Sequence, residues 1–325
     1  MSPYPATGQQ AAPASGEKER AATGELLRAL DALGYDFIAR TPASHARVLE
    51  RDAGRTGSGL ADLLGWSLPC RSADLPEAIV GALDSAGFLE RRPDGLIAAS
   101  VRVSRVFGNL FIHSPFPTTQ QDAVFLGPDS HRFGDYILRN LESLPAGSRI
   151  LDYGAGAGVG GITAASHLPG ARLTLGDINP KALALAGANA GHAGIAHDLA
   201  QVQRPEDLEP GYHLVVMHPP FMIDAERRAY RDGGDLYGGR LSLDWALGGI
   251  GLLAPGGRLV MHTGVSIVGG RDVVREAFTE GLPSGDYTMD YRLLDPDIYS
   301  DELAGEAYAE VDRIAAVGLR IDRRP

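Results

Sequence analysis

A single cysteine, Cys70, in 325 residues excludes an intramolecular disulfide and fits a reducing compartment. No apolar run approaches the ~18 residues of a membrane span, and the amino terminus lacks the basic-then-apolar pattern of a secretory signal. The chain therefore reads as cytoplasmic, with no membrane partner. Basic residues are short as well: 30 Lys+Arg stand against 41 Asp+Glu, a net charge of −11, which argues against a nucleic-acid partner held through counterion release. Histidine and cysteine nowhere cluster at metal-ligand spacing; His192 and His197 read as surface loop, and no metal is expected. No nucleophile triad is visible.

What is present is ample apolar material, 44% of residues, and length for about two domains at ~100–200 residues each. Residues 1–20, rich in Ala, Pro, Gly, Ser and Gln, read as a disordered tail. Between 21 and 120, apolar residues fall at helical spacing in GELLRALDALG, ASHARVLERD, LADLLGW and LPEAIVGALDSAG. FLERRPDGLIAASVRVSRVFGNLFIHS then alternates like one hairpin turned at Pro93-Asp94-Gly95. Helices followed by a two-stranded wing predict a mainly helical, winged-helix-like domain. Arg91, Arg92, Arg102 and Arg105 lie on or near the wing. Over residues 1–120, however, 12 Lys+Arg face 13 Asp+Glu, without the basic excess of a DNA-binding module. A substrate lid, or a surface for a homodimer, is the other reading.

Residues 121–325 are organised around RILDYGAGAGVGGITAA (149–165): a buried strand, a turn of Gly154, Gly156 and Gly158, and a helix opening near Gly161. Glycines permit positive φ and close approach of a ligand to the backbone. The helix start behind them suits an anionic or nucleotide-like group. Two fingerprints overlap here, GxGxG (154, 156, 158) and the dinucleotide GxGxxG (156, 158, 161), and Asp177 ends the next apolar run where it can take ribose hydroxyls in either. Strand and helix patterns alternate onward, predicting an α/β, doubly wound, Rossmann-like parallel sheet with its ligand at the strands' carboxyl ends. The strand HLVVM exits into His218-Pro219-Pro220-Phe221, a rigid corner unusual at that place.

LDYGAGAG, GDINPKALALAGANA, VVMHPPF and the segment YRDGGDLYGGRLSLDWALGGIGLLAPGGRLVMHTG resemble, in order and spacing, the motifs of class I S-adenosyl-L-methionine (SAM)-dependent methyltransferases. The likeness is to HemK-like protein-glutamine N-methyltransferases and relatives with an (Asn/Asp)-Pro-Pro-(Tyr/Phe) loop, and it extends roughly from Asp122 to Val265. The resemblance implies SAM as cofactor. Asp152, Gly154, Gly156 and Gly158 would surround its methionine part, Asp177 its ribose and Ile178 its adenine, with Asp198, Gln203 or Asp207 as an adenine-side polar partner. Asp152 bracing the glycine turn is the minority reading.

The resemblance also implies that the loop's first residue and the following carbonyl accept hydrogen bonds from the target nitrogen while the aromatic ring packs on the substrate. Those positions are His218, Pro219 and Phe221. Histidine departs from the family's Asn or Asp: it can be an orienting acceptor, a general base, or a residue that only caps the loop. The connector residues Thr118 and Gln120 are candidate substrate contacts, because ligand sites favour domain interfaces. So are Tyr230, Arg231, Tyr237 and Arg240, in a long segment after the loop that suits an anionic or aromatic substrate; alternatively those arginines only pair with Asp232 and Asp235.

The expected activity is N-methylation of a small molecule, of specialised-metabolite type, with protein-glutamine N5- or O-methylation as the alternative. More distant are an NAD-dependent oxidoreductase, resting on GxGxxG alone, and a SAM-binding DNA regulator.

Overall fold

The computed structural model describes residues 14–51, 53–283 and 286–325. Residues 1–13 of the expected tail lie outside them. The remainder of that tail is helical: α1 runs Ala14–Ala32, and its Leu26, Leu27 and Leu30 are fully buried. Glu, Lys, Arg and Ala extend this helix upstream because all are good helix formers.

Next come α2 (Pro42–Glu50), α3 (Leu60–Leu64) and α4 (Glu77–Ser85). Pro42 starts α2, where a missing N–H costs nothing, and the Thr41 hydroxyl accepts the Ser44 N–H. Two hairpins follow where one wing was expected. β1 (Leu89–Arg91) pairs with β2 (Ile97–Ala99), and β3 (Arg102–Val106) with β4 (Asn109–His113). The second turns through Phe107-Gly108, both at positive φ (45° and 84°), the two-residue geometry that matches strand twist. Phenylalanine does not announce such a turn. Its ring lies over Gly134, where a Cβ would overlap it.

The wing arginines do not form a free basic face. Arg91 pairs with Asp84 at 2.8 Å, Arg92 with Asp94 at 3.2 Å and Arg105 with Asp31 at 2.9 Å, while buried Arg102 donates to the Ser114 carbonyl.

α5 (Pro128–Leu138) leads into the alternating half: β5 (Arg149–Tyr153), α6 (Val159–His167), β6 (Arg172–Asp177), α7 (Pro180–His192), β7 (His197–Gln201) and β8 (Tyr212–Met217). Then follow α8 (Arg240–Ile250), β9 (Leu253–Val268), β10 (Arg271–Asp272), α9 (Val273–Gly281), β11 (Tyr287–Ile298) and β12 (Val311–Arg323). His192 thus ends a helix and His197 starts a strand, so neither is loop.

The large sheet has the order β7-β6-β5-β8-β9-β12-β11, with β10 against β9. Its first five strands are parallel, and β12 runs against both neighbours. Helices cover both faces. α6 and α7 share a core with the amino-terminal helices and hairpins, whereas α8 and α9 pack with β9 and β12 on the other side. The chain leaves β5 in one direction and returns through β8 in the other, opening a crevice at their carboxyl ends.

One side chain ties the second hairpin to the alternating half. Asn189 of α7, fully buried, accepts the Ile112 N–H at 2.9 Å and donates to the carbonyls of Ile112 (3.2 Å) and Ala157 (2.9 Å). It therefore satisfies the outer edge of β4 and the glycine turn together.

Candidate active site

The crevice is a cavity of about 610 Å³. Its floor is the glycine turn, pinned to β6 where the Gly154 and Ala155 N–H groups donate to the Gly176 carbonyl at 2.8 and 3.0 Å. Gly154 has φ +70°, and a Cβ there would overlap the ring of Trp245 from α8, which packs edge-on against Tyr153 with centroids 4.7 Å apart. Gly156 (φ +55°) lines the cavity, with only the Gly154 carbonyl oxygen, at 4.0 Å, near the place of a Cβ, so a ligand can meet its backbone. Gly158, at φ +84°, caps α6. Gly161 packs on Leu173 and Asp152, so the third glycine of GxGxxG is accounted for by helix-on-strand packing.

Asp152 is buried, and its Oδ2 accepts the Gly161 N–H at 2.7 Å. Burial pushes its carboxyl up to about 7, against that hydrogen bond. It braces the glycine turn, the minority reading above, and it also lines the cavity beside Gly154 and Gly156, where the cofactor's methionine part is expected. Asp177 accepts the Gly156 N–H on one oxygen (2.9 Å) and the Asn179 N–H on the other (2.8 Å). Its lone pairs are not exhausted by these bonds, so two hydroxyls can still be met. Ile178, half exposed, offers an apolar rim, and Gln203 also lines the cavity. Asp198 and Asp207 do not reach it; Asp207 pairs with Arg204 at 3.1 Å.

The HPPF corner overhangs the other end, with all four residues on the cavity wall. His218 Nδ1 lies 2.9 Å from the His262 carbonyl oxygen. A carbonyl only accepts, so Nδ1 carries the proton and Nε2 keeps its lone pair. Burial holds the imidazole below its usual titration range, against the pull of Asp129 and the His262 carbonyl, so His218 is neutral at pH 7. Its ring is flanked by Phe133 (5.4 Å between centroids), His262 (4.8 Å) and Phe221 (5.9 Å). Phe221 is seated on Gly264 of β9, where any Cβ would strike its ring.

The acceptor side is walled by residues 41–43, 116–118, 228–231 and 299–302. Thr118 and Tyr230 are both there, the Tyr230 hydroxyl donating to the Thr118 carbonyl at 2.8 Å. Arg231 is there too, paired with Glu302 at 2.6 Å. Three candidates fall outside the cavity. Gln120 accepts from Lys181 at 2.9 Å, Tyr237 donates to Glu310 at 2.6 Å, and Arg240 grips Asp244 at 3.0 Å, an intrahelical pair on α8. The segment 222–239, with four glycines, folds back on itself where the Gly233 N–H donates to the Met222 carbonyl, so proximity in sequence did not decide which side chains reach the site. Trp245, Asp129, Arg132 and Tyr299 line the cavity unforeseen. Trp245 lies inside a quoted motif, and Asp129 and Arg132 within the stretch from Asp122 to Val265 that the resemblance spans, whereas nothing local marks Tyr299. Among the described residues no group of His, Cys, Asp and Glu could hold a metal ion, and no helix is long and apolar enough to cross a membrane.

A reversed strand inserted next to the edge separates this sheet from the dinucleotide order 3-2-1-4-5-6. With an acid at the end of β6 and a rigid corner at the end of β8, it defines a class I SAM-dependent methyltransferase, an enzyme whose cofactor is SAM. Residues 122–230 match the family model described as methyltransferase small domain. The chain is 28% identical over 197 residues to the release factor glutamine methyltransferase of Deinococcus radiodurans, covering 58% of this chain and 68% of that protein. It is 26% identical over 147 residues to the ribosomal RNA small subunit methyltransferase C of Ectopseudomonas mendocina, covering 41% of this chain and 44% of that one. Among solved structures, a SAM-dependent methyltransferase from Agrobacterium tumefaciens aligns with a TM-score of 0.45 and 17% identity, over 70% of this chain and 71% of its own. Within the class the chain resembles the HemK-like group, with histidine where that group's loop begins with Asn or Asp.

The residues present fit the cofactor. The cavity-lining backbone of Gly156, free lone pairs on Asp177 and the apolar Ile178 are partners of the kind a methionine moiety, a ribose and an adenine need.

Proposed function

We propose that the chain transfers the methyl group of SAM to a nitrogen of a small-molecule acceptor. The observation that carries this reading is the 2.9 Å approach of His218 Nδ1 to the His262 carbonyl: a proton on Nδ1 leaves Nε2 as a neutral acceptor in the place of a family Asn oxygen. Bound SAM supplies an electrophilic methyl group. The chain's own part is orientation: His218 Nε2 and the Pro219 carbonyl accept two N–H groups of the acceptor, which aims the nitrogen lone pair, and the Phe221 ring packs on its planar part. Positioning of this kind supplies most of the rate such a transfer needs. Nε2 can also take up a proton that the methylated nitrogen releases.

Enclosure by four segments supports a small acceptor over a macromolecular one. The elements before residue 121 then serve as a lid, since Thr41 to Ala43 and Phe116 to Thr118 form part of that wall. The second reading is methylation of a protein glutamine, favoured by the 197-residue similarity to a release factor glutamine methyltransferase.

Release of S-adenosylhomocysteine (SAH), followed over a panel of amines, amides and N-heterocycles beside a release factor, separates the two. With the acceptor so found, His218→Asn should keep turnover within about tenfold, and His218→Ala should lower it by about 10²–10³, the usual cost of one preorganised hydrogen bond. SAH affinity should be the same in all three proteins. Unchanged turnover in His218→Ala would refute the orienting role.

A further inference from the structure

Tyr299 stands at the end of β11 in the left-handed region, φ 55°, a conformation that a bulky side chain rarely adopts. Its ring lies 6.1 Å from that of Phe221, next to the corner that presents His218. Its hydroxyl donates to Asp129 Oδ2, and Asp129 is almost completely buried in the first turn of α5. Burial and the Asp129 charge push the phenol far up, so it never ionises near neutrality. A phenol whose proton is committed to a carboxylate can only accept from anything else, and the charge behind it strengthens that acceptance.

The cations around it are engaged. Arg132 bonds Asp129 at 2.8 Å and Asp295 at 3.0 Å. Arg228 grips Asp224 through two bonds of 2.8 and 2.5 Å. Arg231 bonds Glu302 at 2.6 Å, with Asp224 3.6 Å from its Nε. Across the whole cavity six carboxylates line the wall against three guanidiniums. Among the described residues, an acidic acceptor would find each guanidinium of the cavity already ion-paired, whereas a group rich in N–H donors finds lone pairs and aromatic faces.

We propose that Tyr299, held by Asp129, determines acceptor specificity: it receives an N–H of a positively charged group on the acceptor and turns carboxylate- and phosphate-bearing molecules away. This rests on the methyl-transfer reading and names the chemistry of the molecule that enters beside SAM.

Three planar probes of one shape test it on the full chain saturated with SAH: benzamidine, benzamide and benzoate, with affinities read by thermal shift and by ligand-observed NMR. Benzamidine should bind about tenfold more tightly than benzoate, with benzamide between. Tyr299→Phe should weaken benzamidine by about tenfold, as expected for a hydrogen bond involving a charged group, and leave SAH affinity unchanged. Benzoate binding as well as benzamidine, no probe binding at all, or an indifferent Tyr299→Phe protein overturns the proposal. If Tyr299→Phe does not fold, Asp129→Asn, which removes the charge behind the phenol, serves in its place, and an unaltered benzamidine affinity overturns the proposal equally. Failure of the wild-type chain to bind SAH would overturn the methyl-transfer reading itself; SAH binding with the wrong order of probes overturns only this one.

Discussion

Replacing Asn189 by leucine removes a side chain of similar size whose two polar atoms serve three backbone groups. Leucine fills the space and leaves the Ile112 N–H, the Ile112 carbonyl and the Ala157 carbonyl facing an apolar core. Leaving a buried polar group unsatisfied costs about 1–3 kcal/mol, so three of them, part-relieved by the added apolar contact, should cost about 3–6 kcal/mol. That is a large share of the ~5–15 kcal/mol that holds a domain together. The effect should reach the ligand too, because Ala157 sits between Gly156 and Gly158. Urea unfolding of wild type and Asn189→Leu, with and without saturating SAH, measures both consequences: the midpoint falls with an unchanged slope, and SAH affinity drops. A loss of less than about 1 kcal/mol with normal SAH affinity would show that hairpin and turn are held by something other than this amide.

Gly154→Ala combines a strained φ of +70° with a methyl driven into Trp245; titration with SAH should show at least a tenfold loss of affinity, and wild-type affinity would mean that the turn has room to shift. Asp152 gives a pH signature. Its carboxyl titrates near 7 in the folded chain against an ordinary 3.8, so the folded state holds a proton that the unfolded state has lost between those values. Stability from this group therefore falls as pH rises from about 4 to 7 and is level above. Asp152→Asn should flatten that part of the urea-midpoint profile, and a superimposable profile would remove the buried-acid account.

Which parts of this molecule could be read from its residues follows from how local their causes are. The glycine turn, Asp177 and the alternation of strands and helices were legible because each is written in a few adjacent positions: positive φ demands glycine, and a strand covered on both faces is an apolar run. His218, Pro219 and Phe221 were legible because a diproline at a strand exit has few other uses. The β3–β4 hairpin was missed because its turn uses phenylalanine, whose positive φ is compensated by packing on Gly134, 27 positions away. The acceptor wall was half missed for the same reason. Asp129 and Tyr299 lie 170 residues apart and meet only because β11 and the start of α5 converge beside the corner, while Tyr237 and Arg240, close to the corner in sequence, bond Glu310 and Asp244 instead. The cofactor end is set by backbone geometry, which glycine and proline record in place. The acceptor end is set by which carboxylate, near or far along the chain, each tyrosine or arginine pairs with, and that pairing makes the wall one of hydrogen-bond acceptors although its sequence is rich in arginine.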